Sequence, residues 1–139
     1  MTAPVLDERA HFAAVQAAIA AANTQLGADT YDYGEVPGED GNEGTIPRIF
    51  VLLQVERRYL ETLHSTRHST RSSWRIAVRY VGRTVDEARW AGKHVSAALD
   101  AAVLDVEGFS STPVQHEQTN AVTADDGLFS GLSVWTYTL

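Results

Sequence analysis

The chain has no cysteine among its 139 residues, and that single absence removes several kinds of chemistry. A disulfide framework, a zinc ribbon, a thiol nucleophile and an iron–sulfur cluster all need thiols. The first residues hold no long apolar run, since Asp7, Glu8 and Arg9 precede any apolar stretch. Neither a signal peptide nor a membrane span is therefore expected there, and the chain reads as cytoplasmic with no membrane partner. No serine stands in a G-x-S-x-G pattern, and no G-x-x-x-x-G-K-[ST] phosphate loop occurs. With these signatures missing, no catalytic residue, bound metal or cofactor is expected.

What is present is enough for one packed domain. Residues 1–139 are expected to form a single unit, because a chain of this length buries roughly two-thirds of its unfolded surface. The hydrophobic fraction of 44% and charged fraction of 21% are those of a globular protein. The net charge of −7 conceals a polarised distribution. Residues 1–47 carry eight acids against Arg9 alone, residues 48–104 carry ten basic residues against five acids, and residues 105–139 carry five acids and no base. A basic middle between acidic ends opposes general duplex binding, which needs a net basic face. It favours contact between copies, basic surface to acidic surface, in a head-to-tail manner that forms a ring if the rotation closes.

Hydrophobic periodicity gives the elements. Phe12, Val15, Ile19, Ala22 and Leu26 recur at helical steps, so a helix is expected from Asp7 to about Leu26. Residues 34–46 are rich in glycine, proline and acid and are expected to be a mobile acidic loop, with a short strand or anchor near Tyr31 before it. Residues 49–55 are apolar on both alternating faces and are expected at the sheet centre, covered on two sides. In the next strand Trp74, Ile76, Val78 and Tyr80 share one face while Arg75 and Arg79 share the other. Thr84 and Glu87 have the spacing of a capping box, which predicts a helix to about Val103. Two last strands, near 113–123 and 128–139, flank Asp126-Gly127, a strong hairpin signal. The expected fold class is α+β: a mixed, largely antiparallel sheet with two helices packed on it and long β-hairpins.

Between the first two strands lies His64-Ser65-Thr66-Arg67-His68-Ser69-Thr70-Arg71, a repeated four-residue unit. His64 and His68 are four apart, a metal-ligand spacing on a helix, but the serines and threonines favour turns and no third ligand accompanies them. An exposed hairpin tip over about 62–73 is the expectation, with Arg67 and Arg71 free to form bidentate bonds to carboxylates. The arginines have two readings. They face water cheaply on alternate strand positions, or they form a docking surface for acidic protein or passing DNA. The residues expected at an oligomer or partner interface are Arg57, Arg58, Arg67, Arg71, Arg75 and Arg79, with Asp125 and Asp126 on the acidic side.

The stretch from Thr70 to Gln118, with its Arg-bearing strand, Val81-Gly82-Arg83-Thr84 and a helix carrying Glu87-Ala88 and Ala98-Leu99, is similar to tail terminator proteins of long-tailed bacteriophages. The closing hairpin with Asp126-Gly127 and its aromatic last strand continue the likeness, which covers about residues 45–139. The resemblance implies a hexameric ring that sits on the finished tail tube, ends tube polymerisation and offers a surface to the head–tail connector protein. Genomic DNA would pass through the ring without sequence-specific binding. The protein would then belong to the virion, at the tail neck, and to the host cytoplasm during assembly. Another neck or head–tail connector protein, or a small ferredoxin-like α+β enzyme or ligand-binding domain, is the alternative.

Overall fold

A computed structural model describes residues 7–32, 34–38, 44–58 and 72–139. Helix α1 spans Glu8–Ala22 and is capped by Asp7, whose carboxylate accepts from the Arg9 backbone N–H at 3.0 Å. The helix expected to reach Leu26 stops sooner. Asn23 breaks it in extended conformation and caps a separate short helix, α2 (Thr24–Ala28), by accepting from Leu26 N–H at 2.9 Å. An asparagine side chain competes with the helix for backbone donors, so the break falls there. Within α1 the buried residues are His11, Val15 and Ile19.

Five strands form the main sheet: β1 (Thr30–Tyr31), β2 (Phe50–Arg58), β3 (Ser73–Gly82), β6 (Gln115–Asp125) and β7 (Leu128–Thr138). Their order is β1-β2-β3-β7-β6, so β3 rather than β2 is central. The first pairing is parallel and the others are antiparallel, which gives the mixed sheet expected. The capped helix α3 (Val85–Leu99) connects β3 to β4 (Asp105–Val106) and β5 (Phe109–Ser110), which pair as a separate small hairpin. That hairpin turns through Glu107 (φ 51°) and Gly108 (φ 87°), the two-residue turn in which both central residues are left-handed. The same geometry recurs at Asp126 (φ 52°) and Gly127 (φ 82°), where the sequence signals it.

The core lies between one face of the sheet and the helices. Val51, Leu53 and Val55 of β2, Trp74, Ile76, Val78 and Tyr80 of β3, and Trp135 and Tyr137 of β7 pack with Val15 and Ile19 of α1 and Ala91, Val95 and Leu99 of α3. Each fully buried large aliphatic side chain stabilises the fold by about 1.5–3 kcal/mol. Tyr80 is accommodated by two glycines. Its ring lies where a Cβ would stand on Gly131 (2.4 Å from Cε2) and on Gly92 (2.8 Å), so the strand and helix close on it only because neither has a side chain.

Three further details depart from expectation. Helix α3 ends at Leu99, not Val103, because Asp100 (ψ 121°) and the left-handed Ala101 (φ 61°) turn the chain out of the helix. The capping box is half made: Thr84 Oγ1 accepts from Glu87 N–H at 3.1 Å, but Glu87 Oε2 accepts from Arg48 Nε at 2.6 Å. At the ends of the segment expected to be a mobile loop, Val36 is fully buried against Phe50 and Val81, and Ile46 packs on the same cluster. Apolar side chains amid the acids anchor it, while Glu39, Asp40 and Glu43 lie outside the described residues.

Candidate functional site: the open face of the sheet

Because side chains alternate along a strand, the residues that do not enter the helix-covered core form a second face. The register places Gln54, Glu56 and Arg58 of β2 beside Ala77, Arg75 and Ser73 of β3, with Val134 and Thr136 of β7 next to Ala77 and Arg75. Arg75 and Arg79 thus stand opposite Trp74, Ile76, Val78 and Tyr80, as the alternation predicts.

On this face the expected interface arginines already have local partners. Arg75 Nη1 lies 3.9 Å from Glu56 Oε1, and Arg58 Nη1 lies 3.8 Å from Glu117 Oε2 on β6. Arg79 Nη1 donates to Ser130 Oγ at 3.3 Å. These are loose, partly exposed contacts, each worth at most about 1 kcal/mol. Arg57, next to Arg58, pairs in register with Trp74 and so projects to the opposite face. Asp126 sits exposed in the β6–β7 turn beside Asp125, the last residue of β6. Arg67, Arg71, His64 and His68 lie outside the described residues, as does most of the expected 62–73 tip. Its end is shorter than expected: Ser72 is buried and exchanges backbone hydrogen bonds with Leu139 at 2.8 and 3.0 Å, and Ser73 opens β3.

At the far end of the open face is a groove of about 390 Å³ lined by Ile46, Phe50, Leu52, Val81 and Leu128, with Arg79 and Ser130 at its side. Beside it Arg83 Nη2 donates to the carbonyls of Ile46 and Pro47 at 3.3 and 3.4 Å. The periodicity of 49–55 accounts for part of this, since Phe50 and Leu52 are the second apolar face of that strand.

On the helix side the structure assembles a chain that sequence reasoning missed. His116 Nε2 is 2.6 Å from Thr119 Oγ1, which is 3.0 Å from Ser133 Oγ, which is 3.2 Å from the Tyr80 hydroxyl. Its members come from three strands, so no local spacing could reveal it. Ser133 is 2% exposed and is held between two hydroxyls, away from the histidine, an arrangement that fixes strands and does not present a nucleophile. Among the described residues no group of three or more His, Cys, Asp or Glu side chains could hold a metal ion, and no helix is long and apolar enough to cross a membrane.

The fold defines an α+β protein with a mixed five-stranded sheet and a small two-stranded hairpin. A chain from the virion of a native gene transfer agent particle is similar to it with a TM-score of 0.63 and 18% identity, covering 91% of this chain and 91% of that one. A second solved structure matches with a TM-score of 0.52 and 15% identity over 96% of this chain and 92% of its own. No protein-family model and no curated protein matches the sequence. At such identities the likeness shows a shared fold.

Proposed function

We propose that this protein is a structural component of a phage-like particle, and that within it the chain acts as a tail terminator: a ring that caps the tail tube, ends its polymerisation and receives the head connector. The observation that carries the reading is the end-to-end correspondence with a chain of a gene transfer agent virion, 91% of each chain at a TM-score of 0.63. The terminator-like pattern over residues 45–139 supports a position at the tail neck. Three physical features support a role in assembly. The open sheet face carries charge on long side chains, the β6–β7 hairpin has eleven residues in each strand, and acidic and basic segments alternate along the chain.

Homo-oligomerisation, contact with tube and connector proteins, and passage of DNA through the ring belong to this proposal. Arg58, Arg75 and Arg79 are its basic contact residues on the open face. Their present partners are weak enough to exchange for carboxylates of a neighbour. Gold-labelled antibody against the protein, applied to purified particles, is expected to mark one site per particle at the head–tail junction. Labelling spread along the tail, or confined to the capsid surface, would exclude the neck assignment.

A further inference from the structure

Among the described residues two large hydrophobic side chains are exposed, Val103 at 58% and Phe109 at 39%. Phe109 stands on the β4–β5 hairpin and Val103 two residues before β4. Phe109 pairs with Val106 across the tight Glu107-Gly108 turn, and Val106 and Leu104 are buried beneath it. This segment is held firmly. Ser111 Oγ accepts from Leu104 N–H at 2.9 Å, Ser111 N–H donates to Leu104 O at 2.8 Å, and Asp105 Oδ1 accepts from Gly108 N–H at 2.9 Å. A pinned hairpin presenting an aromatic ring is a pre-organised knob, because little conformational freedom remains to be lost on docking.

The apolar groove of Ile46, Phe50, Leu52, Val81 and Leu128 is its counterpart in size and charge. Its volume of about 390 Å³ is ample for one aromatic side chain and a small aliphatic neighbour. Arg79 and Arg83 flank it, and neither is paired with a carboxylate among the described residues. The knob carries Asp105 and Glu107, which have no ion pair among the described residues. Thus apolar surface faces apolar surface, and two cations face two anions.

These features cannot meet within one molecule. The knob follows α3 and joins the sheet where Thr112 N–H donates to Thr138 O at 2.9 Å, at the Ser73 end of β3. The groove lies at the Val81 end. With about 3.3 Å per residue, the ten residues of β3 separate the two ends by roughly 30 Å. We infer that the Val103–Phe109 segment of one copy seats in the Leu52–Leu128 groove of the next, forming a head-to-tail contact between copies. The contact joins different surfaces, so it propagates and closes into a ring only if the rotation permits. A single knob buries little area, so each contact is weak and ring closure supplies the effective concentration that makes the set stable.

This inference rests on the ring reading above and names its contact. Its test uses sedimentation velocity in low salt on the full chain, with Phe109→Ser removing the knob and Leu128→Arg blocking the groove. Both positions are partly exposed, and circular dichroism verifies that each variant folds. The wild type is expected to associate with rising concentration, and each variant alone to need about tenfold more protein or more for the same association. An equimolar mixture restores one intact groove-to-knob contact per pair but cannot close a ring, so it forms heterodimers at most, and these need more protein than wild-type association does. Association of either variant at wild-type concentrations would overturn this contact while leaving the ring reading intact. Assemblies larger than heterodimers in the mixture, or a wild type that is monomeric at every concentration, would also overturn it. Loss of tube capping by the wild type is a separate result and bears on the ring reading itself.

Discussion

The hydroxyl of Tyr137 lies 2.5 Å from Nδ1 of His11, and the His11 ring stacks on Trp74 at a centroid distance of 3.6 Å. One histidine thereby ties the first helix to the last strand across 126 residues of sequence. All three side chains are buried, so the bond between His11 and Tyr137 stands where water cannot substitute for it. Tyr137→Phe is expected to lower stability by about 1–2 kcal/mol, and His11→Ala by about 2–4 kcal/mol because it also leaves a cavity. Urea titration with an unchanged slope checks both.

The same tyrosine makes stability depend on high pH. Burial pushes the Tyr137 hydroxyl far above its ordinary value of 10.0, so the folded state holds this proton more tightly than the unfolded state does. Its contribution is complete below about pH 10 and is lost as the pH rises beyond that, where the unfolded chain ionises first. Burial and the bond to Asp29 raise Tyr31 as well, so part of the alkaline loss has that source. Thermal melts between pH 9 and 11, in Tyr137→Phe and Tyr31→Phe, are expected to show a shallower alkaline decline than wild type, with the larger change at Tyr137.

The two buried indoles differ in one hydrogen bond. Trp135 Nε1 donates to Asp100 Oδ1 at 2.6 Å and so fastens the end of α3 to β7, whereas Trp74 Nε1 has no partner. Replacement of either by phenylalanine leaves a similar void, but only Trp135→Phe breaks a hydrogen bond and frees the helix end. Trp135→Phe is therefore expected to cost about 1 kcal/mol more than Trp74→Phe by chemical denaturation, and an equal or reversed order would refute the assignment.

Gly131 is expected to be intolerant of even a methyl group. The added Cβ would fall 2.4 Å from Tyr80, which Gly92 confines from the helix side, so Gly131→Ala should cost about 1–3 kcal/mol. Tyr80→Leu in the same background should recover part of the loss, measured by the shift in denaturation midpoint.

The strands and turns that local chemistry controls were legible in the sequence. Trp74, Ile76, Val78 and Tyr80 announce a buried face by alternation, Asp126-Gly127 announces its turn, and Thr84 announces a helix start. Features that depend on distant partners were not. His11 occupies a core position because Tyr137 and Trp74 receive it, and β3 is central because β7 returns to pair with it. The β4–β5 hairpin has two residues per strand, too few for a periodic signal. For the candidate site, alternation placed Arg75 and Arg79 on one face, but their pairing and the groove beside Arg79 needed the strand order.

Reversal of the open-face charge should separate folding from assembly. Arg75→Glu and Arg79→Glu remove one loose ion pair and one hydrogen bond, so stability is expected to change by less than about 1 kcal/mol for each. Binding to a tube or a neighbouring subunit should fall by a larger factor and should lose much of its salt dependence. Equal effects on melting and on assembly would remove these arginines from the contact surface.

Tube growth is the most direct measure of the central claim. Purified tail-tube protein polymerised with increasing amounts of this chain, and imaged by negative-stain electron microscopy, is expected to give shorter tubes, each with a ring of added density at one end. Tubes whose length distribution and ends are unchanged at saturating amounts of folded protein would contradict a terminating role.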